Sequence, residues 1–432
     1  MNDLHQLASS AREAFYRLSA ASLETRNKAL LNLAELLTSH KKEIFAENRS
    51  DLSAAEATGL AAPLLHRLKF GEQKITQVTE GLRALSDLPD PIGTTTYAKE
   101  LLSGLKVYRV VCPIGVIGVI FESRPDALIQ IASLCIKSGN AVLLKGGSEA
   151  LHTNMILCRM VREALESSGL PKDAAQLLES REDVSAMLKE DALIDLIIPR
   201  GSNQFVRYIK DNSRIPVLGH ADGICHVYID NEADIPMAIQ VAVDSKTQNV
   251  SVCNAMETLL VHQDIAKDVL PPLCSELRNK GVSLCGDETV RRIVDCELAT
   301  EDDWSMEYLD YRLSIKTVSS LSEAIEHINH YGSHHTDCIV TANEAHAALF
   351  MKLVDSAGTY WNASTRFADG FVYGFGAEVG IATGKIHARG PMGLEGLTTY
   401  KYKLIGNGHT LAGVKDSNLS YTHVSLNENC PL

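Results

Sequence analysis

The sequence is short of several things, and each shortage closes a class of explanation. Aromatic residues make up 6% of the 432 and tryptophan occurs twice, so no aromatic-basic patch for stacking nucleic-acid bases is present. Positive charge is in deficit, with 41 Lys and Arg against 54 Asp and Glu, a formal −13. No basic run offsets it, which argues against nucleic acid and anionic membranes as partners. A local cationic pocket for a phosphorylated ligand remains compatible with that balance. No apolar run approaches the ~18 residues that span a bilayer. The opening MNDLHQLASS lacks the basic head and apolar core of a secretory signal. The ten cysteines are scattered and no two stand at C-x-x-C spacing, so neither a zinc site nor a thioredoxin-type pair is expected. Thiols so placed fit a reducing cytosol, and a cytoplasmic location is expected. The histidines add no metal pattern, because His334 and His335 are adjacent and point apart on any regular element.

What is there describes a large globular chain. Hydrophobic residues at 45% and charged residues at 22% supply ample core, and the length predicts two or three domains. Residues 1 to about 90 read as consecutive amphipathic helices. Leu30, Leu33, Ala34 and Leu37 recur at helical spacing, as do Ile75, Val78, Leu82 and Leu85. The prolines and glycine of DLPDPIGTT break the pattern.

Strand-helix alternation follows. Strands are expected at 105–111, 113–121, 141–144, 196–198, 216–218 and 226–229, with helices at 126–137, 149–166 and 203–210. A second series begins after residue 250, with strands at 259–261, 282–285, 312–317, 338–341 and 359–361. Helices are expected there at 265–278, 322–330 and 343–355. This order predicts two α/β halves joined near residues 230–250, with ligands in the crevice between them. A final strand at 397–404 is expected to pair with 105–111 or with a neighbouring subunit.

The second half opens on NVSVCNAMETLLVH, where Cys253 stands between small and polar residues just before an apolar strand. A thiol there is a nucleophile if local backbone dipoles lower its pKa. The alternative is a buried thiol acting as a small hydrophobe, which from this segment alone is the commoner case. Two other local features carry double readings. Lys145 ends an apolar strand, a costly place for an ammonium unless it meets an anion or hydroxyl, though snorkelling is the plain account. Gly201 and Ser202 precede a helix, where free amides suit pyrophosphate and ordinary capping explains the same residues. Gly115 and Gly118 do not make G-x-G-x-x-G, so the common dinucleotide fingerprint is missing.

The ordered run PIGVIGVI, FESRPD, AVLLKGG, DLIIPRGS, GHADGICHVYID, VCNAMETLL, WNASTRFADG and HARGPMGLEGL resembles the aldehyde dehydrogenase superfamily. More narrowly, it is similar to the γ-glutamyl phosphate reductase branch. The resemblance implies two Rossmann-like α/β domains plus a small β-flap for oligomerisation. Residues 1–230 would bind the cofactor and 231–370 carry the nucleophile, with flap and tail at 95–111 and 396–432.

It also implies site residues. Cys253 is the nucleophile, and Asn254 and Ser123 are candidates for the second oxyanion donor beside the Cys253 amide. Ser123 stands where hydrolytic relatives have asparagine. Lys145 is placed at the adenosine ribose, and Gly201 and Ser202 at the pyrophosphate. Ser148 replaces a carboxylate that takes the ribose hydroxyls, which leaves room for a 2′-phosphate and points to NADPH, with Glu149 next door as the opposing feature. Glu307 aligns with the carboxylate that grips the nicotinamide ribose, a surface glutamate being the alternative. Arg124, Arg366 and Arg389 are candidate anchors for substrate carboxylate or phosphate, Arg366 foremost, with Asn362 in the same motif; each arginine suits a structural ion pair equally. Val217 and Leu218 occupy the place of the glutamate that activates water in acid-forming members, so a thioester is expected to persist until phosphate or reduction removes it.

The implied substrate is L-glutamyl 5-phosphate. The implied partners are a homo-oligomeric copy (dimer or tetramer) and a separate glutamate 5-kinase. A CoA-ester reductase of the same fold and a non-catalytic nucleotide-binding regulator are the alternatives.

Overall fold

The N-terminal helices form where the apolar spacing places them. In Leu23–Ser39 the Ser22 side chain accepts the Thr25 amide as N-cap, and Leu30, Leu33, Ala34 and Leu37 are buried. In Glu72–Asp87, Ile75, Val78, Leu82 and Leu85 are buried in the same way. The computed structural model describes residues 2–179, 182–376, 378–416 and 420–432.

These helices pack on a layer formed by Pro125–Lys137 and Leu151–Ser167. Beneath lies a four-stranded sheet in the order Ala175–Leu177, Ala141–Lys145, Val116–Phe121, Leu196–Arg200, parallel throughout. Val116–Phe121 and Ala141–Lys145 are buried along their whole length, as strands of a covered parallel sheet must be. The expected strand at 216–218 is reduced to a single bridge between Ile197 and Val217. Pro216 has no amide to donate, so the ladder cannot propagate through it. Ala175–Leu177, at the other edge, was not expected.

A second sheet has seven parallel strands, ordered Glu297–Leu298, Ser283–Gly286, Arg312–Val318, Met256–His262, Cys225–Ile229, Thr336–Val340, Gly358–Trp361. Apolar clusters cover both of its faces, one centred on Val227, Leu259 and Ile315, the other on Tyr228, Leu260 and Ile339.

The sheets relocate the join expected near 230–250. Val227 pairs with Leu259 on one side and Cys338 on the other, which makes Cys225–Ile229 an interior strand of the second sheet. The chain divides into a first unit of 1–218, 376–380 and 392–432 and a second of 219–375 and 381–391.

Within the first unit a separate antiparallel sheet runs Thr398–Ile405, Leu105–Pro113, Thr95–Leu102, Val424–Ser425. The late strand pairs with Leu105–Pro113 from Thr398↔Pro113 to Ile405↔Lys106. Thr95–Leu102 and Leu105–Pro113 form a hairpin over Ser103 and Gly104. Gly104 has φ +81°, the left-handed conformation such tight hairpins demand.

Candidate active site

The Cys253 turn is fixed on three sides. Helix Ile235–Thr247 starts at Asp234, whose side chain caps the Met237 amide, with Pro236 in the first turn. The strand Met256–His262 follows, and Ala255 N–H donates to the Val252 carbonyl at 3.0 Å, placing Cys253 and Asn254 at the tip of the turn between them. Asn254 staples that tip: its Nδ2 donates to the Ala368 carbonyl at 3.0 Å, and its own carbonyl accepts from Thr365 Oγ1 at 2.7 Å. The Thr365 amide is in turn held by Ser245 Oγ.

On the third side stands Gly223. A Cβ there would sit 2.2 Å from the Cys253 carbonyl oxygen and 2.4 Å from its Cα and Cβ, so only glycine fits. The Gly223 amide donates to Glu307 Oε1 at 2.9 Å. Glu307 is thereby anchored one residue away from the thiol-bearing turn.

Arg366 supplies a cationic group near the turn, among the carboxylates of Asp244, Asp369 and Glu307. Arg366 Nε donates to Gln248 Oε1 at 2.9 Å. Burial pulls the Arg366 pKa down, while Cys253, Asp244 and Asp369 pull it back up, so its guanidinium and the sulfur of Cys253 feel each other. His335 is fully buried, and desolvation, followed by neighbouring His220, holds its pKa well below the usual imidazole value. The His220 and His335 rings meet edge to face at 5.1 Å. Candidate donor atoms of His220, Cys253 and His335 lie within 4.8 Å of one another.

That constellation was not expected. His334 and His335 do go separate ways, His334 Nδ1 lying 2.7 Å from the Asp355 carbonyl. The partner of His335 is His220, too far along the chain for any spacing rule to join them.

Two expected substrate contacts bond to neighbouring groups within the fold, Asn362 through its whole amide and Arg389 through Nη2. Asn362, at φ +55°, accepts the Thr341 amide with Oδ1 and donates Nδ2 to the Thr341 carbonyl. Arg389 donates Nη2 to the carbonyl and carboxylate of Asp355, the structural ion pair that was its alternative reading.

Of the expected cofactor residues, Glu307 lies in the second unit, whereas Lys145, Ser148, Gly201 and Ser202 lie in the first, at a strand end and on loops. Lys145 ends the strand Ala141–Lys145, is 5% exposed, and donates Nζ to the Gly146 carbonyl at 2.6 Å. Ser148 opens a short 3-10 turn, Ser148–Ala150, and is exposed. Ser123, at φ +44°, donates its amide and hydroxyl to Glu149 Oε1 at 2.7 and 2.6 Å. Glu149 is therefore directed at Ser123. Arg124 is exposed and precedes helix Pro125–Lys137. Ser202 precedes helix Asn203–Asn212 without a side-chain capping bond, and its amide takes Glu122 Oε2 at 3.2 Å. A carboxylate at that helix start demonstrates the anion affinity a pyrophosphate needs. Lys145 ends a strand separated from Leu196–Arg200 by Val116–Phe121, and these donors are of the kind that phosphates and a ribose take.

A half-buried thiol-bearing turn on one parallel sheet and an anion-accepting helix start on another are in keeping with an oxidoreductase. Residues 1–287 match the aldehyde dehydrogenase family, and the chain belongs to that family. Within it the similarity falls on one branch. The chain is 58% identical to gamma-glutamyl phosphate reductase of Acetivibrio thermocellus over 99% of its own length and 100% of that protein's. It is 52% identical to gamma-glutamyl phosphate reductase 1 of Synechocystis, with 99% of each chain covered. The crystal structure of gamma-glutamyl phosphate reductase from Thermotoga maritima superposes with a TM-score of 0.93 at 41% identity, over 95% of this chain and 100% of that one.

Proposed function

We propose that this enzyme reduces L-glutamyl 5-phosphate to L-glutamate 5-semialdehyde with NADPH and releases phosphate, the second step of proline biosynthesis from glutamate. The observation that carries the reading is the Cys253 turn. It is locked by Gly223 and Asn254 and lies in the field of the Arg366 guanidinium, which favours the thiolate.

The Cys253 thiolate attacks the acyl carbon, the C–O bond to phosphate breaks, and a thioester forms. The nicotinamide, when bound, supplies hydride to the thioester carbonyl. The tetrahedral thiohemiacetal then expels the thiolate and frees the aldehyde. The Cys253 amide is the first oxyanion donor. Ser123 is the second candidate once its hydroxyl leaves Glu149. Asn254, with Nδ2 spent on Ala368, acts by holding the turn. Arg366 binds the substrate's carboxylate or phosphate, and Glu307 receives the nicotinamide ribose. The aliphatic Val217 and Leu218 provide no base for water, so the thioester survives long enough to be reduced. Preference for NADPH is supported by Ser148, which is uncharged and exposed.

Assembly into a homo-oligomer is supported by the edge strand Thr398–Ile405, which exposes Tyr400, Tyr402 and Leu404. A glutamate 5-kinase is the source of the acyl phosphate and the natural partner.

The test runs the reaction backwards. Glutamate 5-semialdehyde, NADP⁺ and phosphate are supplied and NADPH formation is followed. The parent enzyme should require phosphate, and Cys253→Ser should be slower by about a thousandfold or more. Turnover that ignores phosphate, or that survives loss of the thiol, sinks the proposal.

A further inference from the structure

The His220, Cys253 and His335 cluster has a property that thioester chemistry does not call for. His335 is wholly buried, its Nδ1 lies 3.0 Å from Thr336 Oγ1, and its Nε2 has no hydrogen-bond partner. A buried ring nitrogen left so is costly unless a ligand takes it. His220 Nδ1 lies 2.8 Å from the Ile381 carbonyl. That contact puts the ring proton on Nδ1 and the lone pair on Nε2, as in the outer-shell bonds that orient metal-bound imidazoles. One ring nitrogen of each histidine and the Cys253 sulfur lie within 4.8 Å of one another. A tetrahedral zinc site needs ligand separations of roughly 3.3–3.7 Å, so side-chain rotation of about an ångström closes it.

We propose that His220, Cys253 and His335 form a reversible Zn²⁺ site that caps the thiol. One thiolate and two imidazoles are a borderline-soft set suited to zinc, with the fourth corner left to water. Binding forms a sulfur–zinc bond and releases the thiol proton to solvent; nothing is oxidised or reduced. The effect on turnover rests on the reading of Cys253 as nucleophile, because a zinc-bound sulfur cannot attack an acyl carbon. Zinc is then an inhibitor that a chelator reverses.

The full chain is titrated with Zn²⁺ against a chromogenic chelator, and with Co²⁺, whose thiolate charge-transfer absorption reports a sulfur ligand. Bound Zn²⁺ should protect Cys253 from iodoacetamide, and the Co²⁺ band should vanish in Cys253→Ala. Affinity should fall at least about tenfold in His335→Asn and in His220→Asn. The half-buried His220 serves as the test if the His335 variant does not fold. Unchanged affinity in the folded histidine variants, or alkylation of Cys253 indifferent to bound Zn²⁺, overturns the site. A Cys253→Ser enzyme that still turned over would remove the nucleophile reading alone, since neither the Co²⁺ band nor the alkylation depends on turnover.

Discussion

The two units hold their candidate residues in opposite ways. In the first, Ser148, Gly201, Ser202 and Arg124 are exposed on loop ends, and Ser202 and Ser123 are engaged by glutamate side chains that can swing away. In the second, the Cys253 turn is held through main-chain atoms: Gly223 packs against the Cys253 main chain, the Thr365 hydroxyl donates to the next carbonyl, and the Asn254 side chain donates to the Ala368 carbonyl. On the proposed reading, groups that meet a ligand's phosphates tolerate play, because the ligand would replace the glutamates. A nucleophile does not, because misplacement by about 1 Å costs on the order of a hundredfold in rate.

The sharpest way to break this contrast is one methyl group in each unit. Gly223→Ala drives Cβ into main-chain atoms of Cys253 that cannot rotate aside. Gly201→Ala meets Glu122 Oε2 at 2.6 Å, the movable end of an exposed side chain. In the phosphate-dependent assay Gly223→Ala should lose at least about a hundredfold in kcat/KM. Gly201→Ala should stay within several-fold and register in the KM for the cofactor. Equal losses would erase the distinction.

Each unit also buries a lysine completely, and the next effect is read there. Lys246 in the second unit pairs with Glu257, both at 0% exposure. Burial drives Glu257 up to about 7 against the opposing pull of Lys246, and drives Lys246 down. Lys137 in the first unit donates only to neutral oxygens, Asn27 Oδ1 and the carbonyls of Ser86 and Leu88. Removing one partner of a buried ion pair costs about 3–5 kcal/mol, whereas orphaning neutral acceptors costs about 1–3 kcal/mol. Lys246→Met should therefore unfold at clearly lower denaturant than Lys137→Met at neutral pH. Without Lys246 the folded pKa of Glu257 rises further above 4.5. A raised folded pKa contributes stability that is present below the unfolded value and lost as pH rises through the folded one. The deficit of Lys246→Met should thus grow from pH 5 to pH 8.

What could be read from the chain beforehand follows the range of the interactions. Continuous apolar runs such as Val116–Phe121 and helical spacing such as Leu30 to Leu37 announce their elements, because one short segment contains the whole signal. The pairing of Thr398–Ile405 with Leu105–Pro113 is one of the two expected for the late strand, the other being with a neighbouring subunit. The join between units was not legible. Cys225–Ile229 reads the same in either sheet, and only its registers with Leu259 and Cys338 assign it. The site divides the same way. Motifs single out Cys253 and its flanking residues, but nothing local reveals that Gly223 touches Cys253. Nothing in the spacing brings His220 to His335, or tells that the amide of Asn362 is consumed by Thr341. These are tertiary contacts between residues of ordinary type.

The smallest effect is set by histidines. Among the described residues the buried ones, His226, His262, His327 and His335, all lie in the second unit. His327 packs edge-on against His226 and Trp304, and its Nε2 has no partner. Burial, reinforced by His226, Lys316 and His330, pushes its pKa from 6.5 to about 2. A folded pKa depressed in this way contributes stability that is complete above the unfolded value and is withdrawn as pH falls below about 6.5, at about 1.4 kcal/mol per pH unit. Amide exchange at pH 5 and pH 7, corrected for intrinsic rates, should show protection lost first from the strands around Met256–His262 and Arg312–Val318. The first unit's parallel strands should follow only later. His327→Gln, neutral at both pH values, should reduce the difference. If the first unit opens first, or both open together in parent and variant alike, acid sensitivity does not reside in the unit that holds the thiol.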